Sequence, residues 1–422
     1  MYKNRIFFLY FISLSLTLSG QNIKSVKKNI KQLCSPKLHG RGYVFEGDKK
    51  AAEYIAEKFE DIELERNEKN SYYQNFPLTV NTFPNNVELV INDIKLEVGV
   101  DYIPATDSGS GTSNGELFFM DDAIFMHEEA LKEFTKKDLS NSIVVYDQEQ
   151  EKKRMQWSRP LMEKILQAKA SIILFDDKLT FGVARWQMPK PRFYVLRNKM
   201  PEVVNSCHFT IQSQLKENYI SQNVIGKIKG TETPKEFIFF TAHYDHLGAI
   251  GKQKYFAGAN DNASGVAMLL EIAKYYKSNP PKSSVVFIAF GAEEAGLIGS
   301  RYYVENPTVA LEKIKFLVNL DLFGTGEEGM MAVNGKVYTD QYELLSNINT
   351  KNHYLSAVKS RGKAANSDHY YFSENGVPSF FFYLMGKSWT HYHDIYDDQP
   401  LPLSDFSNAF QLITDFGDAL MN

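Results

Sequence analysis

The sequence predicts an α/β fold, a mostly parallel sheet with helices on both faces, interrupted by a smaller β-rich insertion. Two observations carry the sheet. Beyond residue 222, four apolar runs of strand length, at 237–242, 285–290, 316–320 and 379–384, are separated by helical stretches. Alternation of this kind builds a parallel sheet covered on both sides. The clearest intervening helix is 264–276, whose Val266, Leu269, Leu270 and Ala273 share one face. A third observation carries the insertion: a segment of different texture runs from the Gly/Ser-rich stretch 108–115 to about 212–222.

Taken in order, the first twenty residues stand apart. Lys3 and Arg5 precede an apolar run over 7–18, and the small Ser19 and Gly20 follow it. The run is short for a membrane span and has the layout of an export signal. We expect a signal peptide over 1–20, a periplasmic or secreted protein, and no membrane association beyond that signal. Helical spacing marks 26–33 and 48–59, the latter with Ala51, Ala52, Ile55, Ala56 and Phe59 on one face, and β-like runs follow at 87–91 and 94–98. In the different segment, 117–120, 142–146 and 171–175 read as buried strands and 160–168 as a helix. The expected plan is a main domain formed by 21–109 and 216–422, with 110–215 inserted into it.

Composition narrows the function. Hydrophobic residues at 43% and charged ones at 23% exclude disorder and coiled coil, and a net charge of −4 gives no basic balance for nucleic acid. Cys34 and Cys207 are too few for a thiolate zinc site, and we expect two unpaired thiols. The nine histidines are more telling, because five of them (His243, His246, His369, His391 and His393) fall in the second half close to acids.

Those residues sit where parallel strands stop, the edge at which α/β folds place their sites. His243 follows the run 237–242, and Asp245 is positioned to hold its imidazole. Asp261 opens the helix at 264; it reads as a cap on its own, or as a carboxylate able to bridge two cations. Glu293 and Glu294 directly follow 285–290, and adjacent residues point differently, so one can bind metal while the other faces substrate. Asp321 ends the run 316–320. His393 has Asp397 four residues on, whereas His391 has Ile395 there; Asp368-His369 is given a supporting role at most. Together His243, Asp261, Glu294, Asp321 and His393 make two imidazoles and three carboxylates, a set suited to zinc, and if Asp261 bridges, each of two ions receives three protein ligands. Glu293, beside a ligand but not needed as one, is the natural general base.

The strings AHYDHLG, GANDNASGVAMLLEIA, FGAEEAGLIGS, NLDLFG, SDHYYFSENGVPS and YHDIYDD resemble the di-zinc aminopeptidases, family twenty-eight of the metallopeptidases, over about 222–417. LHGRG and AAEYIAEKF near the start match more loosely. The resemblance implies a Rossmann-like sheet and removal of N-terminal residues from peptides with a free N-terminus. It also implies His243 and Asp321 on one zinc, Glu294 and His393 on the other, Asp261 between them, Glu293 as base and Asp245 behind His243. Similar proteins usually have Thr or Ser after the last His, where this chain has Asp394. The insertion resembles a protease-associated domain. Two further readings share the fold: a glutaminyl cyclase with a single-zinc site, and a receptor-like binding protein with a dead site. The motif strings and the full ligand set favour the peptidase.

Overall fold

A computed structural model describes residues 22–67, 69–204 and 206–422; the expected export signal at 1–20 lies outside them. The four apolar runs form the parallel centre of an eight-stranded sheet. Its strands stand in the order Tyr73–Thr82, Gln214–Ile228, Ser283–Phe290, Thr233–His243, Ile314–Leu320, Ser379–Leu384, Met330–Val333 and Val358–Arg361. The central four are mutually parallel; the pairings of Gln214–Ile228 with Ser283–Phe290 and of Met330–Val333 with Ser379–Leu384 are antiparallel.

The apolar runs are continuous because both faces of each strand are buried. Ile238, Phe240, Ala242, Val285, Phe287, Ala289, Phe316 and Val318 point into one core, shared with residues of the helices Ile23–Leu33, Gly47–Asp61, Gly265–Ser278 and Phe406–Leu420. Their neighbours Phe239, Val286, Ile288, Phe290 and Leu317 point into a second core with Tyr303 and Phe372, from the helices Ile298–Glu305 and His369–Glu374. The alternation is the two-residue period of a strand, here with a covered face on either side. The fold is therefore α/β with helices on both faces of the sheet.

A second eight-stranded sheet runs Ile94–Lys95, Glu88–Ile91, Cys207–Ile211, Gly111–Phe119, Ser142–Asp147, Ala170–Phe175, Arg192–Leu196 and Tyr102–Pro104. It takes strands from residue 88 onward, ahead of the boundary at 109/110 expected from composition. Glu88–Ile91 pairs with Cys207–Ile211, and Tyr102–Pro104 with Arg192–Leu196. One face of this sheet, through Val144, Tyr146 and Ile173, packs on Phe134, Leu161 and Ile165. The other, through Ile143, Val145, Ile172, Phe193 and Val195, shares a core with Leu247, Ile250 and Phe256, which lie just beyond the strand Thr233–His243. That packing brings the second sheet against the end of the first where the acids and histidines gather. Among the described residues no helix is long and apolar enough to cross a membrane.

Candidate active site

Three neighbouring central strands deliver most of the site. His243 is the last residue of Thr233–His243, Glu293 and Glu294 lie three and four residues past Ser283–Phe290, and Asp321 directly follows Ile314–Leu320. Asp261 comes from the irregular helical turn Ala259–Ser264 and His393 from a loop. The structure brings all five proposed ligands together. His243 Nε2 lies 3.3 Å from Asp261 Oδ1 and 3.4 Å from Asp321 Oδ2. His393 Nε2 lies 3.0 Å from Asp261 Oδ2 and 3.3 Å from Glu294 Oε2. The two oxygens of Asp261 thus face two different imidazoles.

Asp245 stands behind His243, nearer through its backbone carbonyl than through its carboxylate. His243 Nδ1 is 3.2 Å from the Asp245 backbone carbonyl but 3.9 Å from its Oδ1. The carboxylate instead accepts the backbone N–H groups of Glu293 (3.0 Å) and Glu294 (3.3 Å), fixing the turn that carries both acids. Asp397, expected as the companion acid of His393, accepts the N–H groups of Asn260 (2.8 Å) and Asp261 (3.0 Å) and the indole N–H of Trp389 (2.9 Å).

Two residues were not singled out as site residues from the sequence. Arg41, wholly buried, donates to the carbonyls of Leu33, Tyr244, Ala257, Gly258 and Asp261, tying the turn after His243 to the loop of Asp261. Its only signal was the LHGRG string. His246, also wholly buried, lies with Nδ1 2.8 Å from Glu294 Oε1, so Glu294 stands between two imidazoles. His246 remains a neighbour in the sense expected, though one in direct contact with a ligand. His369 is buried beside Phe381, and burial lowers its imidazole to about 3. His391 is half-exposed near Asp394.

The electrostatics fit a cation. Burial pushes Glu293 well above the ordinary carboxylate range, and Glu294 to about 8. Burial alone would depress the His393 imidazole, but Glu294 and Asp261 outweigh it and lift it to about 9. The donor atoms of His243, Asp261 and Asp321 lie within 4.8 Å of one another, as do those of His246, Asp261 and Glu294. Asp321 Oδ1 is buried without a hydrogen-bond partner. An acid-rich buried set of imidazole and carboxylate donors with an unsatisfied oxygen is what a divalent metal would complete. His243, Asp261, Glu293 and Asp321 line a cavity of about 210 Å³ that also meets Arg361, Phe381, Tyr383 and Tyr392.

The inserted sheet reaches this site. Phe181 N–H donates to the carbonyl of His393 (2.9 Å), and Lys178 Nζ contacts Asp394 Oδ2 and the Thr390 carbonyl, each at 3.0 Å. Asp394, the departure from the usual Thr or Ser, thus has a partner from the insertion.

Residues 223–413 match the model of peptidase family M28. Aminopeptidase YwaD of Bacillus subtilis is 35% identical over 179 residues, covering 40% of this chain and 37% of that protein. A probable zinc metalloprotease of Pyrenophora tritici-repentis is 35% identical over 106 residues, 25% of this chain and 24% of its own length. The chain thus spans well under half the length of these relatives. The whole described architecture has solved counterparts. BSAP, a zinc aminopeptidase from Bacillus subtilis, superposes with a TM-score of 0.67 at 20% identity, covering 93% of each chain. A peptidase M28 precursor from Shewanella amazonensis gives 0.66 at 17% identity over 95% of this chain and 98% of its own. At these identities the likeness is one of fold, and it extends across both sheets.

Proposed function

We propose that this protein is a zinc-dependent aminopeptidase that hydrolyses the first peptide bond of substrates with a free N-terminus. The observation that carries the reading is Asp261, whose Oδ1 and Oδ2 face His243 and His393 respectively. That is the arrangement of a carboxylate shared by two cations. His243 and Asp321 would hold one zinc, Glu294 and His393 the other, with Asp261 between them. Bound zinc supplies Lewis acidity, polarising a carbonyl and making water a better nucleophile at neutral pH.

The remaining steps belong to the chain. Glu293 lines the same cavity as His243, Asp261 and Asp321. Its carboxylate takes the proton of the attacking water and gives it to the leaving amine, the work of a general base and then acid. Asp245, through the Glu293 and Glu294 N–H groups, sets where that carboxylate stands. The names of the relatives, an aminopeptidase and a zinc metalloprotease, support the same reaction class. Export from the cytoplasm rests on the character of residues 1–20, and N-terminal sequencing of protein from its natural host tests it.

The decisive experiment pairs aminoacyl-nitroanilide hydrolysis with metal analysis of wild type and Glu293→Gln. Expected are close to two zinc per chain in both, and a loss of turnover in the variant of about 10²–10⁴-fold. One zinc or none would refute the shared carboxylate; undiminished turnover would remove Glu293 as base. An N-terminal glutamine cyclisation assay runs beside it, and cyclisation without hydrolysis would replace the peptidase reading.

A further inference from the structure

The cavity beside His243, Asp261, Glu293 and Asp321 is lined by one cationic side chain, Arg361. Arg361 ends the short strand Val358–Arg361, in register with Val333 of its parallel neighbour, so its backbone is held by the sheet. The side chain is exposed, and among the described residues its guanidinium makes neither an ion pair nor a hydrogen bond. Several other arginines are engaged, Arg41 by carbonyls and Arg154, Arg192 and Arg197 by carboxylates. Arg361 does not pair even with Glu293 or Asp321, although both line its own cavity.

We propose that Arg361 forms a subsite for a carboxylate of the substrate, an inference that rests on the peptidase reading of the same cavity. A guanidinium offers a planar fork of donors that matches a carboxylate, and the match is geometric as well as electrostatic. Phe381, Tyr383 and Tyr392 line the same cavity and supply apolar surface beside the guanidinium. An apolar side chain seated there would strip water from the cation and return no hydrogen bond. The carboxylate has two possible sources, an acidic N-terminal residue or the free C-terminus of a dipeptide, and the experiment separates them.

The zinc-loaded enzyme is assayed on Glu-nitroanilide against Leu-nitroanilide, and on Leu-Gly against Leu-Gly-amide. One ratio should favour the carboxylate by roughly 10–100-fold in kcat/KM, the size of a charged hydrogen-bonded contact. A high first ratio assigns the acidic side chain, a high second ratio the C-terminus. R361A should bring the favoured ratio to about one, and R361K should keep part of it. R361E, a second exposed-site variant, should turn the preference toward Lys-nitroanilide. Equal handling of both members of each pair by wild type, or a preference that survives in R361A and R361E, overturns the subsite. Failure of wild type to hydrolyse all four substrates refutes the peptidase reading, and the subsite falls with it.

Discussion

Replacing Arg41 by alanine tests whether the site depends on a buried cation that touches no substrate. Its Nε donates to the Tyr244 carbonyl at 2.7 Å, Nη1 to Ala257 at 2.5 Å and Leu33 at 3.1 Å, and Nη2 to Gly258 at 2.8 Å and Asp261 at 3.3 Å. Hydrogen bonds from a charged donor contribute about 1.5–3 kcal/mol each when measured singly, but bonds from one group are not additive. Water entering the vacated space would rebind several carbonyls, so about 1 kcal/mol per carbonyl, roughly 5 kcal/mol in all, is the expected loss. That is a large part of the roughly 5–15 kcal/mol that holds a domain together. The assay is urea unfolding with excess chelator, so that metal binding does not contribute to the midpoint. Arg41→Lys keeps the charge but has three donors on one nitrogen, and should recover less than half of the loss. Because the Asp261 carbonyl is among the acceptors, zinc content at limiting metal should fall in both variants. An alanine variant within about 0.5 kcal/mol of wild type, with unchanged zinc content, would refute the reasoning, since that is the range of ordinary surface substitutions.

Lys178→Ala removes the contacts to Asp394 and Thr390, and since Lys178 is partly exposed it should change global stability by less than about 1 kcal/mol. Faster amide exchange confined to residues 390–398, with weaker zinc retention, is expected; unchanged exchange there would show that the insertion does not hold the His393 loop. Burial pushes Asp48 up to about 6 from 3.8, against the opposing hydroxyls of Tyr219 and Ser221. The folded state therefore holds the proton more tightly, and the stability this gives is full below about pH 4 and lost as pH rises to about 6, roughly 3 kcal/mol in total. Asp48→Asn should flatten the urea midpoint between pH 4 and 6, and a profile as steep as wild type would contradict this. Cys34 and Cys207 are both free and buried, in different cores, and burial raises each thiol to about 12. Neither should react with a thiol reagent until urea is added, when two thiols per chain should appear without reductant; none would mean a disulfide.

Much of this was legible because the chemistry sits at the ends of buried strands. The runs 237–242, 285–290, 316–320 and 379–384 announced themselves by unbroken hydrophobicity, and polar residues at their ends, His243, Glu293, Glu294 and Asp321, stood out against it. The antiparallel edges were harder. Glu88–Ile91 is four residues long and pairs with residues more than a hundred positions away, so no local pattern marks it as part of the second sheet. Side chains that bind backbone were the least visible. Arg41, Asp245 and Asp397 make their main contacts to N–H and carbonyl groups, and such groups carry no side-chain signature in a sequence. Spacing alone assigned both acids to imidazoles, because an acid near a histidine in sequence offers the obvious pairing and the chain's turns then point it elsewhere.

The same division shows how the site is built. His243 and Asp321 arrive on or just past adjacent strands, which lie about 4.8 Å apart, so the hydrogen-bonded ladder sets their separation, while Glu294, four residues past its strand, is placed by the Asp245 carboxylate that accepts its N–H. Asp261 and His393 have no strand to hold them. Asp261 hangs from Arg41 on its carbonyl and Asp397 on its N–H. His393, with a left-handed backbone at φ 59°, is held through its carbonyl by Phe181 of the insertion, a conformation that a non-glycine residue keeps only when its surroundings impose it. Polar scaffolding thus holds Asp261, Glu294 and His393, the three residues proposed to share the second cation. Loss of the scaffold should therefore weaken the zinc shared by Asp261, Glu294 and His393 before the one on the strand ends. Stepwise chelation of Arg41→Lys and Lys178→Ala would show this as one early and one late metal, whereas simultaneous loss of both would mean that the sheet, not the loops, limits the site.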